Sequence, residues 1–366
     1  MILIEKDYCS AIIYTNEIDS GSEGLITALC NNPVSENSII RIMPDVHAGK
    51  GCVVGTTMTI VDRVAPGLVG VDIGCGILAI KLQAKKFELQ KLDKLIYEKI
   101  PSGRNIRKDP HLFSNKIDLS QLRCFKHIMY NKALCSIGTL GGGNHFIEVD
   151  KDSKGSYWLI IHSGSRHLGV EVASYYHDKA FENCPEGTPY ELAYAVGGLM
   201  DNYLHDIKIV QDFAELNRRA MANEIIKGMK ADVEETISTV HNYIDLDSKI
   251  LRKGAVSAKL GEKLIIPMNM RDGCLLCIGK GNYTWNFSAP HGAGRLMNRK
   301  DAKESFTVSQ YKKEMKGIYS TSINKNTLDE SPMAYKPMES IIDIIGETVD
   351  IIERTRPIYN FKSSEG

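Results

Sequence analysis

A carboxylate and a thiol lie three residues apart in a glycine-rich turn. The segment VGVDIGCGI, residues 69–77, places Asp72 and Cys75 among three glycines, with apolar residues on both sides. A structural turn uses Asp and Gly readily but gains little from a cysteine. A metal site uses both side chains, because carboxylate oxygen and thiolate sulfur are metal ligands. The turn is therefore a candidate metal site.

Three histidines occur in similar settings and could complete such a site. His145 follows the glycines of TLGGGNHFIEV, His162 follows a short apolar run, and His241 lies in VHNYID. None of them shows a local zinc spacing such as H-E-x-x-H, so their convergence is a hypothesis. A thiolate that bridges two ions, with imidazoles and a carboxylate as the other ligands, would account for the whole set.

The segment APHGAGR, residues 289–295, combines a histidine with the features of an anion-binding loop. Small residues let backbone N–H groups approach an anion, and Arg295 can bind phosphate through two nitrogen atoms. His291 in such a loop could act as a nucleophile toward phosphorus and form a phosphoramidate. Considered alone, the loop would be interpreted in preference as a glycine turn with an exposed histidine.

Composition restricts the class of protein. The 366 residues are 43% hydrophobic and 25% charged, an ordinary mixture that can bury a sizeable core. Lys and Arg together equal Asp and Glu at 45 each, so a nucleic acid would have to bind a local basic patch. The sequence shows no secretory signal and no apolar run long enough to cross a membrane. Nine dispersed cysteines indicate a reduced, cytoplasmic protein.

Strands and helices alternate along the chain and must position these loops. The predicted helix nearest the C-terminus begins at Pro337 and buries a face of paired isoleucines. Loops on a rigid scaffold are where binding sites are commonly built. The predicted strands are 78–82, 157–163 and 275–281, and the predicted helices are 86–100, a long one within 189–230, and 337–354.

Cys274 and Cys277 form a C-x-x-C pair, which can indicate redox or zinc chemistry. The two residues between them are leucines in a strand-like run, so the two thiols would lie on opposite faces of the strand. No second C-x-x-C accompanies the pair. A buried strand is therefore the favoured interpretation.

Seven motifs occur in order and span nearly the whole chain. They are MPDVHAGKG (43–51), VGVDIGCG (69–76), GTLGGGNHFIE (138–148), HSGSRHLG (162–169), RKGAVSA (252–258), HGAGR (291–295) and PMAYK (332–336). Together they closely resemble the RtcB family of GTP- and manganese-dependent RNA ligases. The resemblance implies one large α/β (α+β) domain over residues 1–366, with β-sheets around a metal-containing central cleft and helices outside.

The resemblance also implies a role for each matching position. His291 would attack the α-phosphorus of GTP to form a guanylyl-histidine, and Asp45 would orient a reacting group or act as a base. The implied ligands of one or two Mn²⁺ ions are Asp72, Cys75, His145, His162 and His241, with Cys75 shared. The implied nucleotide-binding residues are Asn144, Glu148, Asn269, Gly292, Ala293, Gly294, Arg295, Tyr335 and Lys362. Lys50 and Arg166 would bind RNA.

The implied reaction joins an RNA 3′-phosphate or 2′,3′-cyclic phosphate end to a 5′-hydroxyl end, in RNA repair or tRNA splicing. An activating helper protein is left open as a further partner. Family serines near the nucleotide fall at Asn269 and Cys274; asparagine can replace the hydrogen bond, whereas cysteine replaces it poorly. Two alternatives are a metal-dependent RNA-end phosphodiesterase or phosphatase without guanylylation, and a non-catalytic RNA-binding relative.

Overall fold

Two large β-sheets dominate the computed structural model, which describes residues 1–84 and 86–363. The first sheet has the strand order β1-β2-β3-β4-β12-β11, and its neighbours are antiparallel except for the parallel pair β2-β3. Its strands are β1 (Ile2–Glu5), β2 (Ser10–Ile13), β3 (Ile40–His47), β4 (Val54–Thr59), β11 (Asn242–Asp245) and β12 (Ile250–Lys253).

The second sheet is antiparallel, with the order β10-β6-β8-β7-β18. Its central strand β8 is buried along its whole length, because alternate side chains enter two different apolar clusters. Leu159 and Ile161 pack in one cluster, and Trp158 and Ile160 pack in the other. The strands are β6 (Gly76–Gln83), β7 (Phe146–Lys151), β8 (Tyr157–Ser163), β10 (Asp232–Val240) and β18 (Arg356–Phe361).

Smaller sheets complete the β-structure. One has three strands in the order β14-β15-β17, and two others are the antiparallel pairs β13-β16 and β5-β9. These strands are β5 (Arg63–Val64), β9 (Ala195–Val196), β13 (Ala255–Ser257), β14 (Lys263–Asn269), β15 (Gly273–Gly279), β16 (Ser288–Pro290) and β17 (Val349–Arg354).

Helices pack on the sheets, and the longest lies against β6 and β8. This 33-residue helix, α6, also contacts α3 and α5. None of the described helices is long and apolar enough to span a membrane. The helices are α1 (Ser20–Cys30), α2 (Pro66–Val69), α3 (Leu89–Lys99), α4 (Tyr130–Ser136), α5 (Arg166–Asn183), α6 (Gly197–Met229), α7 (Arg299–Ser305), α8 (Val308–Glu314) and α9 (Met338–Ile345).

Most predicted elements are confirmed. The three predicted strands correspond to β6, β8 and β15, and α3 lies within the predicted helix 86–100. The helix predicted within 189–230 begins at Gly197, after the short strand β9. Cys274 and Cys277 are buried in different apolar clusters, which confirms that their thiols lie on opposite faces of β15.

The helix predicted over 337–354 is wrong beyond Ile345. The chain turns there, with the Thr348 backbone N–H and hydroxyl both donating to Ile345 O, at 2.8 Å and 2.9 Å. Residues Val349–Arg354 then form β17, which pairs antiparallel with β15. Paired isoleucines are compatible with either element, and the available edge of β15 stabilises a strand.

Candidate active site and metal centre

The five predicted metal ligands meet in two groups that share Cys75. Asp72, Cys75 and His145 form one group, and Cys75, His162 and His241 form the other; within each, the candidate ligand atoms lie within 4.8 Å of one another. Cys75 Sγ lies 3.5 Å from His145 Nε2 and 3.2 Å from His162 Nε2. His145 Nε2 is 2.9 Å from Asp72 Oδ2, and the Nε2 atoms of His162 and His241 are 3.3 Å apart. A thiolate between two ligand sets is the arrangement that a bridged pair of ions requires.

The electrostatics of the cluster suit a divalent transition metal. Burial and neighbouring imidazoles lower the pKa of His162 and His241 well below the ordinary value, so both rings are neutral. Burial raises the pKa of Asp72, but His145, Cys75 and Arg166 together outweigh burial and bring the pKa to about 2. Burial and Asp72 raise the pKa of the Cys75 thiol well above its usual range, and a bound cation would supply the charge that a thiolate needs. The nitrogen, sulfur and oxygen donors therefore fit such an ion.

Close packing explains the glycines around these ligands. The Cys75 N–H donates to Asp72 O at 3.2 Å, which closes the turn before β6. Gly74 has a φ of +74°, and a Cβ atom there would lie 2.8 Å from Ala214 Cβ on α6. A Cβ atom on Gly164 would lie 2.1 Å from Asp72 Oδ1. Both positions exclude a side chain because another element approaches the backbone.

Backbone carbonyls orient two of the imidazoles. His145 Nδ1 donates to Leu140 O at 2.9 Å, and His162 Nδ1 donates to Asn144 O at 3.2 Å. Nδ1 therefore carries a proton in each ring, and with a metal ion bound the Nε2 lone pair would point into the cluster as a ligand. The Cys75 carbonyl accepts the His241 backbone N–H at 2.9 Å, which ties the third histidine to the same turn.

Two buried residues of α6 hold the site loops together, and the sequence analysis missed both. Arg218 is fully buried and donates at 2.7 Å to both Gly74 O and Ser163 O. Asn217 accepts the Gly138 backbone N–H at 2.8 Å. The sequence could have indicated them, because Asn217 and Arg218 occupy positions on the face of α6 that is otherwise filled mainly by buried apolar residues.

His291 lies beside the metal cluster with one ring nitrogen held by a carboxylate. Its ring centroid is 5.1 Å from that of His241. Asp45, fully buried on β3, accepts a hydrogen bond from His291 Nδ1 at 2.7 Å and one from the backbone N–H at 3.2 Å. Since a carboxylate oxygen accepts, Nδ1 carries the proton and Nε2 keeps its lone pair. This geometry suits a nucleophilic imidazole.

A cavity of about 660 Å³ opens beside His291. His162 and His241 also line it, so the metal cluster and the nucleophile face one space. Every residue predicted to bind nucleotide lies on its wall: Asn144, Glu148, Asn269, Gly292, Ala293, Gly294, Arg295, Tyr335 and Lys362.

Glu330 organises the cationic side of this cavity and was not predicted. It accepts hydrogen bonds from Tyr335 OH at 2.7 Å, Lys362 Nζ at 2.9 Å and an Arg299 nitrogen at 2.5 Å. Burial raises its pKa, but Lys362 and Arg299 outweigh burial and bring the pKa to about 2. Its sequence signal was an acidic pair, Asp329–Glu330, just before the PMAYK motif.

The two residues predicted to bind RNA occupy different settings. Lys50 is exposed in a bend that follows β3. Arg166, at the start of α5, donates to Gly103 O at 2.7 Å and to Thr139 Oγ1 at 3.1 Å. Its guanidinium therefore also ties the loop before His145 to the segment near Gly103.

Comparison with known proteins identifies the family of this chain. The family model described as tRNA-splicing ligase RtcB matches residues 29–123 and 114–363. RNA-splicing ligase RtcB of Escherichia coli strain K12 is 31% identical over 368 residues, covering 88% of this chain and 90% of that protein. tRNA-splicing ligase RtcB of Aeropyrum pernix is 26% identical over 441 residues, covering 90% and 88%. Because the matched residues include the metal cluster, His291 and the cavity wall, and the match spans most of the chain, this chain belongs to the RtcB family.

Proposed function

We propose that this protein is a GTP- and Mn²⁺-dependent RNA ligase that acts in RNA repair or tRNA splicing. It joins RNA ends bearing a 3′-phosphate or 2′,3′-cyclic phosphate to 5′-hydroxyl ends through a guanylyl-histidine. The observation that carries the proposal is the position of His291, which is held by Asp45 at 2.7 Å beside both the metal cluster and the cavity. The names of the relatives, RNA-splicing and tRNA-splicing ligases, support the substrate class.

The metal cluster has the ligands for two ions: one held by Asp72, Cys75 and His145, and one by Cys75, His162 and His241. The choice of Mn²⁺ rests on the family resemblance. Bound divalent ions would neutralise charge on the phosphates during in-line displacement. Cys75, common to both groups, would keep the two ions close together.

His291 Nε2 attacks the α-phosphorus of GTP. A nitrogen–phosphorus bond forms, the bond from the α-phosphorus to the bridging oxygen breaks, and pyrophosphate leaves. Asp45 fixes the ring orientation and stabilises the positive charge that develops on the imidazole. The RNA 3′-phosphate then takes GMP from His291, and the 5′-hydroxyl attacks that activated phosphate and expels GMP.

The cavity wall accounts for nucleotide binding. The backbone of Gly292–Gly294 lies next to His291, where phosphates would bind. Glu148, Tyr335 and Lys362 lie on the same wall and would hold the guanosine. Lys50 and Arg166 are the candidate contacts for the RNA backbone. All nine cysteines are free thiols, which supports a reduced, cytoplasmic setting.

Labelled GTP tests the proposal directly. Wild-type protein incubated with Mn²⁺ and GTP labelled at the α-phosphate should form an acid-labile protein adduct, and His291→Ala should form none while binding the same amount of metal. His205→Ala, which removes an exposed histidine of α6, is the matched control and should label normally.

The same assay separates the two alternatives. A phosphodiesterase or phosphatase would process RNA ends without any adduct, and His291→Ala would retain that activity. A non-catalytic RNA-binding relative would form no adduct and would join no RNA. Either result would contradict the ligase proposal.

A further inference from the structure

Two carboxyl groups lie side by side behind one wall of the nucleotide cavity. Glu148 and Asp150 are two residues apart on β7, so their side chains project from the same face of the strand. With Cys274 they form a group whose polar atoms lie within 4.8 Å of one another. Glu148 is 2% exposed and Asp150 is fully buried, but Glu148 lines the cavity.

The hydrogen bonds around this pair leave one carboxylate oxygen unpaired. Asn360 Nδ2 donates to Glu148 Oε2 at 2.5 Å, and Thr355 Oγ1 donates to Asp150 Oδ2 at 2.5 Å. The Cys274 thiol, a weak donor, lies 3.8 Å from Glu148 Oε1. Asp150 Oδ1 is buried and has no hydrogen-bond partner within the described residues. A buried, unpaired oxygen beside a second carboxyl group is a site for a shared proton.

Neighbouring charges do not remove the need for that proton. The titratable and charged groups that face Glu148 are Asp150 on its own strand, Cys274 on β15 and Lys362 after β18. Lys362 is already paired with Glu330 at 2.9 Å. Two buried carboxyl groups this close cannot both be ionised at low cost. Accordingly, burial and Asp150 raise the pKa of Glu148 well above its usual range, and burial raises the pKa of Asp150 to about 7.

The position of one proton changes which purine the wall can bind. Guanine presents two donors, N1–H and the N2 amino group, and an ionised Glu148 accepts from both. Adenine presents an acceptor, N1, beside a donor, the N6 amino group. A protonated Glu148 matches adenine, because its hydroxyl donates to N1 and its carbonyl oxygen accepts from N6.

We propose that the Glu148–Asp150 pair allows this protein to use ATP as well as GTP, with Asp150 as a positioning residue that exchanges a proton with Glu148. When guanine binds, the proton moves from a Glu148 oxygen to Asp150 Oδ1; when adenine binds, it lies on Glu148. Each exchange conserves the proton within the pair. The inference rests on the proposed function, because it needs the purine to lie against Glu148.

A competition assay on the full-length protein tests the inference. Labelled GTP and ATP are supplied together with Mn²⁺, and the two adducts on His291 are counted between pH 6 and pH 9. Because both nucleotides use the same nucleophile and metals, the ratio of adducts cancels every titration except that of base recognition. Wild-type protein should form both adducts. The GTP to ATP ratio should stay constant while the pair holds one proton, because the exchange conserves it, and should rise by at most about tenfold per pH unit where the pair loses that proton.

Substitutions of Glu148 and Asp150 test whether this pair sets the GTP to ATP ratio. Asp150→Asn keeps an oxygen for the Thr355 hydroxyl but removes the neighbouring charge, so Glu148 ionises readily and the GTP to ATP ratio at pH 7 should rise about tenfold or more. Glu148→Gln fixes a donor beside an acceptor, so the GTP to ATP ratio should favour ATP at every pH. This variant tests the inference independently if Asp150→Asn fails to fold. Asp152→Asn is the control, because Asp152 bonds the backbone of its own turn, and its ratio should match the wild type.

The outcomes distinguish this inference from the proposed function. The inference would be overturned if only the GTP adduct formed, if ATP did not compete with it, and if Asp150→Asn left the amount of that adduct unchanged. The ligase proposal would still stand in that case. The absence of an adduct with either nucleotide would overturn both.

Discussion

Arg218→Met would remove a buried cation that ties two parts of the metal site to α6. The guanidinium donates at 2.7 Å to Gly74 O and Ser163 O, and at 2.9 Å to Glu215 Oε2. Methionine keeps an apolar side chain of similar length but leaves both buried carbonyls without their donor. A hydrogen bond to a charged group contributes roughly 1.5–3 kcal/mol, so losing two costs about 3–6 kcal/mol. Glu215 adds little, because it keeps two other partners.

Urea unfolding at 25 °C, followed by tryptophan fluorescence, measures this loss. The free energy of unfolding should fall by about 3–6 kcal/mol, which moves the midpoint by roughly 1 M urea for a chain of this size. Metal affinity should fall as well, because the two carbonyls belong to the segments that carry Cys75 and His162. Arg219→Met is the matched control: Arg219 has a half-exposed side chain paired with Glu215 and should lose less than about 1 kcal/mol. Equal losses in the two variants would refute the reasoning.

Three further predictions concern the site. Asp45→Asn places an amide donor against His291 Nδ1 and so forces the ring proton to Nε2. Adduct formation should then slow by about 10²–10⁴-fold with little change in nucleotide affinity. An unchanged single-turnover rate of adduct formation would contradict this prediction. Cys75→Ala removes the ligand common to both metal groups, and elemental analysis after dialysis should find less than half of the wild-type metal, whereas full content would argue against a shared ligand. Glu330 has its pKa lowered from 4.5 to about 2, so its carboxylate stabilises the fold above pH 4.5 and that stabilisation is lost as the pH falls toward 2. Glu330→Gln should therefore reduce stability at pH 7 and weaken the decline in the urea midpoint below pH 4.5; identical pH profiles would exclude this role.

Apolar periodicity predicted a helix or a strand correctly where the residues fitted only one of the two periods. Strand β8 is an uninterrupted buried run, and its predicted bounds match the structure. The region after Pro337 has isoleucine pairs that suit a helix or a strand, and its second half pairs with β15 instead of continuing α9. Such a choice depends on a partner strand distant in the chain, which local periodicity does not contain.

The sequence by itself determined the donors and the order of the motifs: a carboxylate, a thiol, three imidazoles and a histidine in a glycine loop. These features could be identified from the sequence because each needs particular residue types within a few positions of one another. Only the tertiary structure decided that Cys75 belongs to both ligand groups, that Asp45 holds His291, and that Arg218 joins the site loops. It also placed Asp150 behind Glu148, with an oxygen that has no hydrogen-bond partner among the residues that the structure describes. The physical reason is that hydrogen bonds, charge pairing and close packing act between atoms that are near in space, whatever their separation along the chain.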